Sequence, residues 1–239
     1  MLRTNSPEIL DDDDCPAIEA ATSLRDLCRM NRWFGGVTTT RNLIDRVASA
    51  TGLTRLSVLE VASGFGEVPR TAGRQLARRG ITLDITDLDR MPSHLRPQHR
   101  ALVADALALP FADASFDVVS CSLFAHHLDP CQLKQFAAEG LRVSRRAVLI
   151  NDLIRHPLHL ALVYAGFPLM RSYVSRVDGV ASVRRAYVTE EMRTILCDGI
   201  KAEAKVEIST HYLFRMGVIV WKKSEPGSAA SSLRVRSAA

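Results

Sequence analysis

Leu59-Glu60-Val61-Ala62-Ser63-Gly64-Phe65-Gly66 breaks an apolar run with two glycines and leads straight into an amphipathic stretch. Leu56, Val58 and Leu59 have the character of a buried parallel strand, and Val68 to Arg79 reads as a helix. A strand that turns through glycines into a helix makes a cradle of nucleotide size. Gly64 and Gly66 lack a Cβ, so ligand atoms can touch the backbone, and the helix start offers free N–H groups. A dinucleotide site would show G-x-G-x-x-G and an acid about 20 residues further on. Pro69 stands where the third glycine would be, and Glu60 adds an acid at the strand end before the glycines. The pyrophosphate fingerprint is therefore broken.

Working outward, Ile81 to Asp87 alternates like a strand and ends in an acid that can accept hydrogen bonds from both ribose hydroxyls. Asp89, two residues on, is its rival for that role. Ala104-Asp105-Ala106-Leu107-Ala108-Leu109-Pro110-Phe111 and Ala112-Asp113-Ala114-Ser115-Phe116-Asp117-Val118-Val119 follow. Then Val118 to Ser122 leads into Leu123-Phe124-Ala125-His126-His127-Leu128. In this order, over roughly residues 55 to 155, the chain resembles the class I S-adenosylmethionine-dependent methyltransferases. Glu60, Gly64 and Gly66 match the family's E/D-x-x-x-G-x-G signature. Asp105 lies in a segment like G-D-A-x-x-L-P-F-x-D-x-S-F-D-x-V, with Ala104 where glycine is usual. The resemblance implies S-adenosyl-L-methionine as cofactor, held by Glu60, Ala62, Gly64, Gly66, Asp87, Leu88, Asp105 and Ala106. It places Asp105 at the adenine amino group.

The chain's 239 residues suit one α/β domain with decorations. Its hydrophobic fraction of 47% and charged fraction of 24% are those of an ordinary globular protein. A net charge of +5 with scattered arginines and 6% aromatics argues against a nucleic-acid partner, which would want a basic stripe with interleaved aromatics. Five widely spaced cysteines, with no C-x-x-C pair, read as reduced thiols in a cytoplasmic protein and carry no zinc pattern; no metal is expected. No secretory signal opens the chain, and Leu158 to Met170 is too short to span a bilayer, although it can rest against lipid. A monomer or homodimer acting on a small molecule is expected.

Strand and helix alternate through the core, which implies a Rossmann-like, seven-stranded, mostly parallel sheet with an antiparallel last strand. Helices cover both faces, and a helical lid and cap complete the domain. Strands are predicted near 56–61, 81–87, 100–103, 117–122, 147–152, 205–210 and 212–222. Residues 1–16 and 224–239 read as disordered, and 17–223 as the single domain. Within it, two helices are read, Ala17–Met30 and Thr40–Ala50, and the family resemblance implies that 17–50 is a lid and that the insertion 153–188 is a substrate cap. The run Asp178 to Tyr187 reads as polar and glycine-hinged.

The sulfonium methyl of the implied cofactor is already activated, so the enzyme must align a nucleophile with it and exclude water. A hydroxyl acceptor also needs a base, whereas an activated ring carbon loses its proton only after transfer. His126 and His127 follow the fourth strand at its carboxyl end, where open α/β sheets bind ligands. His127 is favoured as base, with His126 as its control, because loop neighbours rarely point the same way. Asp152 would orient an imidazole or a substrate hydroxyl, or with Asn151 only cap the next helix. Trp33, Arg155, Tyr164, Met170, Tyr173 and Arg184 are the candidate acceptor contacts: aromatic or apolar faces, and arginines for an anion. Short motifs also resemble a bacterial subgroup associated with type III polyketide synthase operons, whose members methylate phenolic or quinone lipids. These are Asn31-Arg32-Trp33-Phe34-Gly35-Gly36, Asn151-Asp152-Leu153 and Asp178-Gly179 with Ser182-Val183-Arg184-Arg185. That likeness favours O-methylation of an aromatic acceptor. Ring C-methylation and a non-catalytic, methyltransferase-like binding module are the alternatives.

Overall fold

The computed structural model describes residues 1–11, 15–200 and 204–223. Its strands are β1 (Arg55–Val61), β2 (Thr82–Asp89), β3 (Ala101–Val103), β4 (Phe116–Ser122), β5 (Ser144–Leu153), β6 (Ala204–His211) and β7 (Arg215–Lys222). They form one sheet in the order β3-β2-β1-β4-β5-β7-β6. Every pairing from β3 to β5 is parallel; β7 runs antiparallel to both β5 and β6. The helices are α1 (Ala17–Trp33), α2 (Gly36–Thr51), α3 (Glu67–Ala77), α4 (Pro130–Val143), α5 (Pro157–Ala165), α6 (Tyr173–Arg185) and α7 (Thr189–Ile200).

Side chains alternate across a strand, so a sheet buried on both faces needs apolar residues at odd and even positions alike. In β1, Leu56 and Val58 pack with Leu43, Ile44 and Val47 of α2 and Leu76 of α3. Leu59 and Val61 turn to the opposite face, toward Leu133 and Phe136 of α4 and Met192 and Leu196 of α7. The carboxyl ends of β1, β2, β4 and β5 are left uncovered by these two layers. The lid helix α1 and the insertion helices α5 and α6 close over that end.

Several expected boundaries move. β2 runs on to Asp89, because Leu88 and Asp89 pair with Leu102 and Val103 of β3. β5 begins at Ser144, opposite Phe116. α2 begins at Gly36, directly after the left-handed turn of Gly35 (φ 82°), where a Cβ would lie 2.8 Å from the Tyr212 carbonyl oxygen. The supposed hinge at Asp178–Tyr187 is mostly helix: Gly179 lies inside α6, against Val163 and Met170.

The amino terminus differs most from expectation. Arg3 lies over the Tyr187 ring and donates to the carbonyls of Arg185, His126 and Leu128. The Ile9 and Leu10 N–H groups donate to the Asp178 carboxylate at 2.8 and 3.0 Å. These partners lie more than a hundred residues away in sequence, so local composition carries no sign of them. The acidic residues 12–14 and the expected tail 224–239 fall outside the described residues.

Candidate active site

A cavity of about 680 Å³ opens at the carboxyl end of the sheet, a size suited to small-molecule binding. The turn leaving β1 makes its first wall. Ala62, Gly64 and Gly66 all take positive φ (51°, 52° and 67°). The turn is tied down by the Ser63 N–H to the Leu88 carbonyl and the Gly64 N–H to Asp89 Oδ2 at 2.9 Å. Ala62 and Gly64 face the cavity, and Leu24 of the lid lies 3.2 Å from where a Gly64 Cβ would stand.

Gly66 serves a different purpose from the one expected. A Cβ there would collide with the Arg70 guanidinium and come within 2.6 Å of the Asp87 carboxylate. Its bareness makes room for an ion pair between the buried Asp87 and the partly buried Arg70. Asp87 accepts from Arg70 at 2.8 Å and meets His99 Nδ1 at 3.1 Å. Neither Gly66 nor Asp87 lines the cavity, whereas Leu88 and Asp89 do. Of the two acids at the end of β2, Asp89 is thus the one that faces the cavity, because the strand runs on two residues past Asp87. Asp105 and Ala106 also line the cavity, with Asp105 Oδ1 accepting the Leu107 N–H.

Glu60 lies at the cavity floor, 1% exposed. Burial pushes its carboxyl up to about 7, against the pull of hydrogen bonds from Ser120 and Ser122. Its Oε2 is buried and has no hydrogen-bond partner. An unmatched carboxylate oxygen beside bare backbone suits a cationic nucleoside ligand.

At the opposite wall, Leu123 (φ 58°) follows β4, and a short helical turn carries the histidine pair. Asp152 holds His126 twice, taking Nδ1 at 2.7 Å and the backbone N–H at 2.9 Å. It therefore orients an imidazole; the helix α5 is capped instead by His156. Burial alone would lower the His126 pKa, but the Asp152 and Glu8 carboxylates outweigh it and push it up to about 10. The two carboxylates thus favour the imidazolium form of His126, in which it is no general base. Contrary to the expectation for loop neighbours, both rings turn the same way. His126 Nε2 and His127 Nε2 meet the Glu8 carboxylate at 3.3 and 3.6 Å.

Among the expected acceptor contacts, only Met170 lines the cavity. Trp33, Tyr164 and Tyr173 are exposed, and Arg184 points to solvent. Arg155 is held in a structural network by Glu191, the Ala186 carbonyl and the Met1 carbonyl. Its neighbour in the motif does reach the cavity: Arg185 donates to the His127 and Ser6 carbonyls. Arg215 went unnoticed in the sequence. It is 4% exposed, bonded to Asn31 Oδ1 and the Phe34 carbonyl, and lines the cavity with its Nη1 unpartnered. Burial lowers its pKa to about 10. Asn151 ties lid to sheet by donating to the Gly36 carbonyl and Thr40 Oγ1, both at 2.8 Å. Glu8 and Arg215 have no sequence signal, since each is recognisable only by its distant partners.

This sheet order, with the glycine turn after β1, is that of the class I, Rossmann-like methyltransferase fold, and acids stand at the ends of β1, β2 and β3. The methyltransferase-domain family matches residues 59–150. A demethylmenaquinone methyltransferase from Renibacterium salmoninarum is 30% identical, over 74% of this chain and 71% of that enzyme. The plantazolicin methyltransferase BpumL, solved with SAH, shares the fold at a TM-score of 0.65 and 13% identity, covering 90% of this chain and 93% of that one. Magnesium protoporphyrin IX methyltransferase (ChlM) from Synechocystis PCC 6803, solved with SAM, aligns at a TM-score of 0.50 and 12% identity, covering 79% and 80%. The chain belongs to the S-adenosylmethionine-dependent methyltransferases, and S-adenosyl-L-methionine is its cofactor. Among the described residues, no helix is long and apolar enough to cross a membrane.

Proposed function

We propose that the methyl acceptor is a small, largely apolar aromatic molecule with a hydroxyl group, a phenol or hydroquinone, and that the methyl goes to that oxygen. The cofactor would be held by Glu60, Ala62, Gly64, Leu88, Asp89, Asp105 and Ala106, and supplies an already activated methyl group. The observation that carries the reading is an acid–imidazole cluster, Glu8 with His126 and His127, set in a cavity whose wall is otherwise rich in Leu24, Leu27, Phe34, Phe124, Met170 and Val183. An apolar wall favours a ring, and a polar cluster at one place on it selects where the ring's oxygen lies. Glu8 and His127 would take the hydroxyl proton or hold the oxygen, while Asp152 fixes the His126 ring. Arg215 Nη1 offers a second oxygen a donor. The lid and the amino-terminal segment keep water from the aligned groups.

The resemblance to methyltransferases of type III polyketide synthase operons supports a phenolic or quinone lipid. Residues from all three motifs that carry it border this one cavity: Asn31 and Phe34, Leu153, and Asp178 with Ser182 and Arg185. Ring C-methylation of a quinone is the second reading, favoured by the likeness to a demethylmenaquinone methyltransferase. The two separate on product analysis: phenols and hydroquinones are incubated with cofactor bearing a 13C-labelled methyl, and the products are read by mass spectrometry and carbon NMR. A methoxy resonance supports the first reading, and an aryl-methyl resonance replaces it with the second.

A further inference from the structure

We propose that Glu8, His126 and His127 form a divalent transition-metal site of the two-histidine, one-carboxylate type, with its open position facing the acceptor cavity. The three ligand atoms lie within 4.8 Å of one another, with Glu8 and His126 buried and His127 half-buried. The Glu8 carboxylate turns one oxygen to each ring, and both carboxylate–imidazole spacings are those of ligands sharing an ion. Metal–nitrogen and metal–oxygen bonds of about 2.0–2.2 Å at tetrahedral angles put neighbouring ligand atoms about 3.4 Å apart. Glu8 Oε1 lies 3.3 Å from His126 Nε2, and Glu8 Oε2 lies 3.6 Å from His127 Nε2. A charge-assisted hydrogen bond would close to about 2.7–2.9 Å, as the Asp152–His126 bond does at 2.7 Å. The buried His126 Nε2, 2% exposed with its residue, makes no hydrogen bond although Glu8 is beside it.

The groups behind the ligands complete the argument. Metal-bound histidines give their other nitrogen to a carboxylate, which fixes the tautomer and raises ligand basicity. Asp152 does this for His126 at Nδ1, leaving Nε2 as the ligand atom. Ser182 donates to Glu8 Oε1 at 2.9 Å, and Asp178 holds the backbone just after Glu8. Binding would displace a proton from His126 Nε2 to solvent while Nδ1–H stays with Asp152. Two imidazoles and one carboxylate suit zinc, iron(II) or cobalt(II) rather than magnesium or calcium. With an ion bound, Glu8 and His127 serve as its ligands instead of as base, and the ion's free position takes the acceptor oxygen and favours its ionised form, the proton leaving to solvent. That last role rests on the proposed aromatic acceptor; the site itself does not.

The test uses the full chain, freed of metal with a chelator and titrated with cobalt(II) alone, without cofactor or acceptor. Visible ligand-field absorption should saturate at one equivalent and be displaced by zinc(II). Glu8→Gln and His127→Ala should each weaken cobalt binding at least 100-fold. Asp152→Asn should weaken it about 10–100-fold. His156→Ala, away from the cluster, should bind as the parent does. Zinc should also raise the parent's thermal midpoint and leave that of Glu8→Gln unmoved, which gives a readout in a variant whose sheet is untouched. No saturable absorption in the parent, or absorption unchanged in both Glu8→Gln and His127→Ala, would overturn the site. A parallel titration with S-adenosylmethionine reports separately on the methyltransferase reading: if that fails while cobalt binds, only the acceptor role falls.

Discussion

Replacing Glu60 by glutamine should make the free protein more stable at alkaline pH while crippling cofactor binding. Burial raises the Glu60 carboxyl from its ordinary value of 4.5 to about 7. Between those values the folded chain holds a proton that the unfolded chain has released. Stability from this group is therefore fully present below about 4.5 and is lost as pH rises through about 7. The difference corresponds to about 3 kcal/mol, which the parent forgoes above neutrality. Glutamine has the same shape and never ionises, so it escapes that loss, and it can still take the hydroxyls of Ser120 and Ser122. Urea unfolding of both proteins without cofactor, from about pH 5 to about pH 8, should show midpoints that nearly coincide in acid and diverge in base, at equal slopes. Cofactor binding should move oppositely. Glu60 Oε2 has no partner within the protein, and loss of its charge should weaken a cationic ligand by about 1.5–3 kcal/mol, roughly 10–150-fold. In the parent, affinity should fall as pH drops below about 7, because the bound cation favours the ionised carboxylate. Equal midpoints across the pH range, or unchanged affinity in the variant, would refute the argument.

Asp89→Ala should weaken cofactor binding by about 1.5–3 kcal/mol in a titration, whereas Asp87→Ala should act on unfolding, costing about 1–3 kcal/mol because the partly buried Arg70 and His99 would lose the buried carboxylate they share. The reverse pattern would return the ribose acid to Asp87. Gly64→Val should abolish cofactor binding while circular dichroism stays native, since a branched side chain resists φ 52° and would enter the cavity between ligand and Leu24. Arg215→Met should keep the fold and raise the acceptor KM about tenfold or more, with cofactor affinity unchanged; a KM within twofold of the parent's would remove Arg215 from the acceptor wall. Asn151→Ala should cost about 1–3 kcal/mol in unfolding free energy, because it leaves the Gly36 carbonyl and Thr40 without the donor that joins α2 to β5.

The amino-acid sequence by itself determined the alternation of strand and helix and the turn that opens the site, because those depend on short-range signals, while the cofactor followed from the likeness of these motifs to a known family. The apolar run of β1, the two glycines after it and the start of α3 lie within about two dozen residues, and each local preference points to the same strand–turn–helix unit. The acids at the ends of β1 and β3, Glu60 and Asp105, were legible because each sits in a short contiguous motif like the family's. The second acid was only half legible. Asp87 and Asp89 alternate with Leu88 so that both meet the period of a strand, and only the pairing of Asp89 with Val103, together with the Arg70–Asp87 bridge under Gly66, decides which one faces the cavity. The acceptor side was hidden. Glu8 precedes an acidic run that reads as a solvated tail, and it becomes a cavity residue through Asp178, Ser182 and the histidine pair, all far along the chain. Arg185 and Arg184 are indistinguishable as text; the phase of α6 turns one inward and the other to water. Long-range packing, which neither periodicity nor propensity encodes, made those choices.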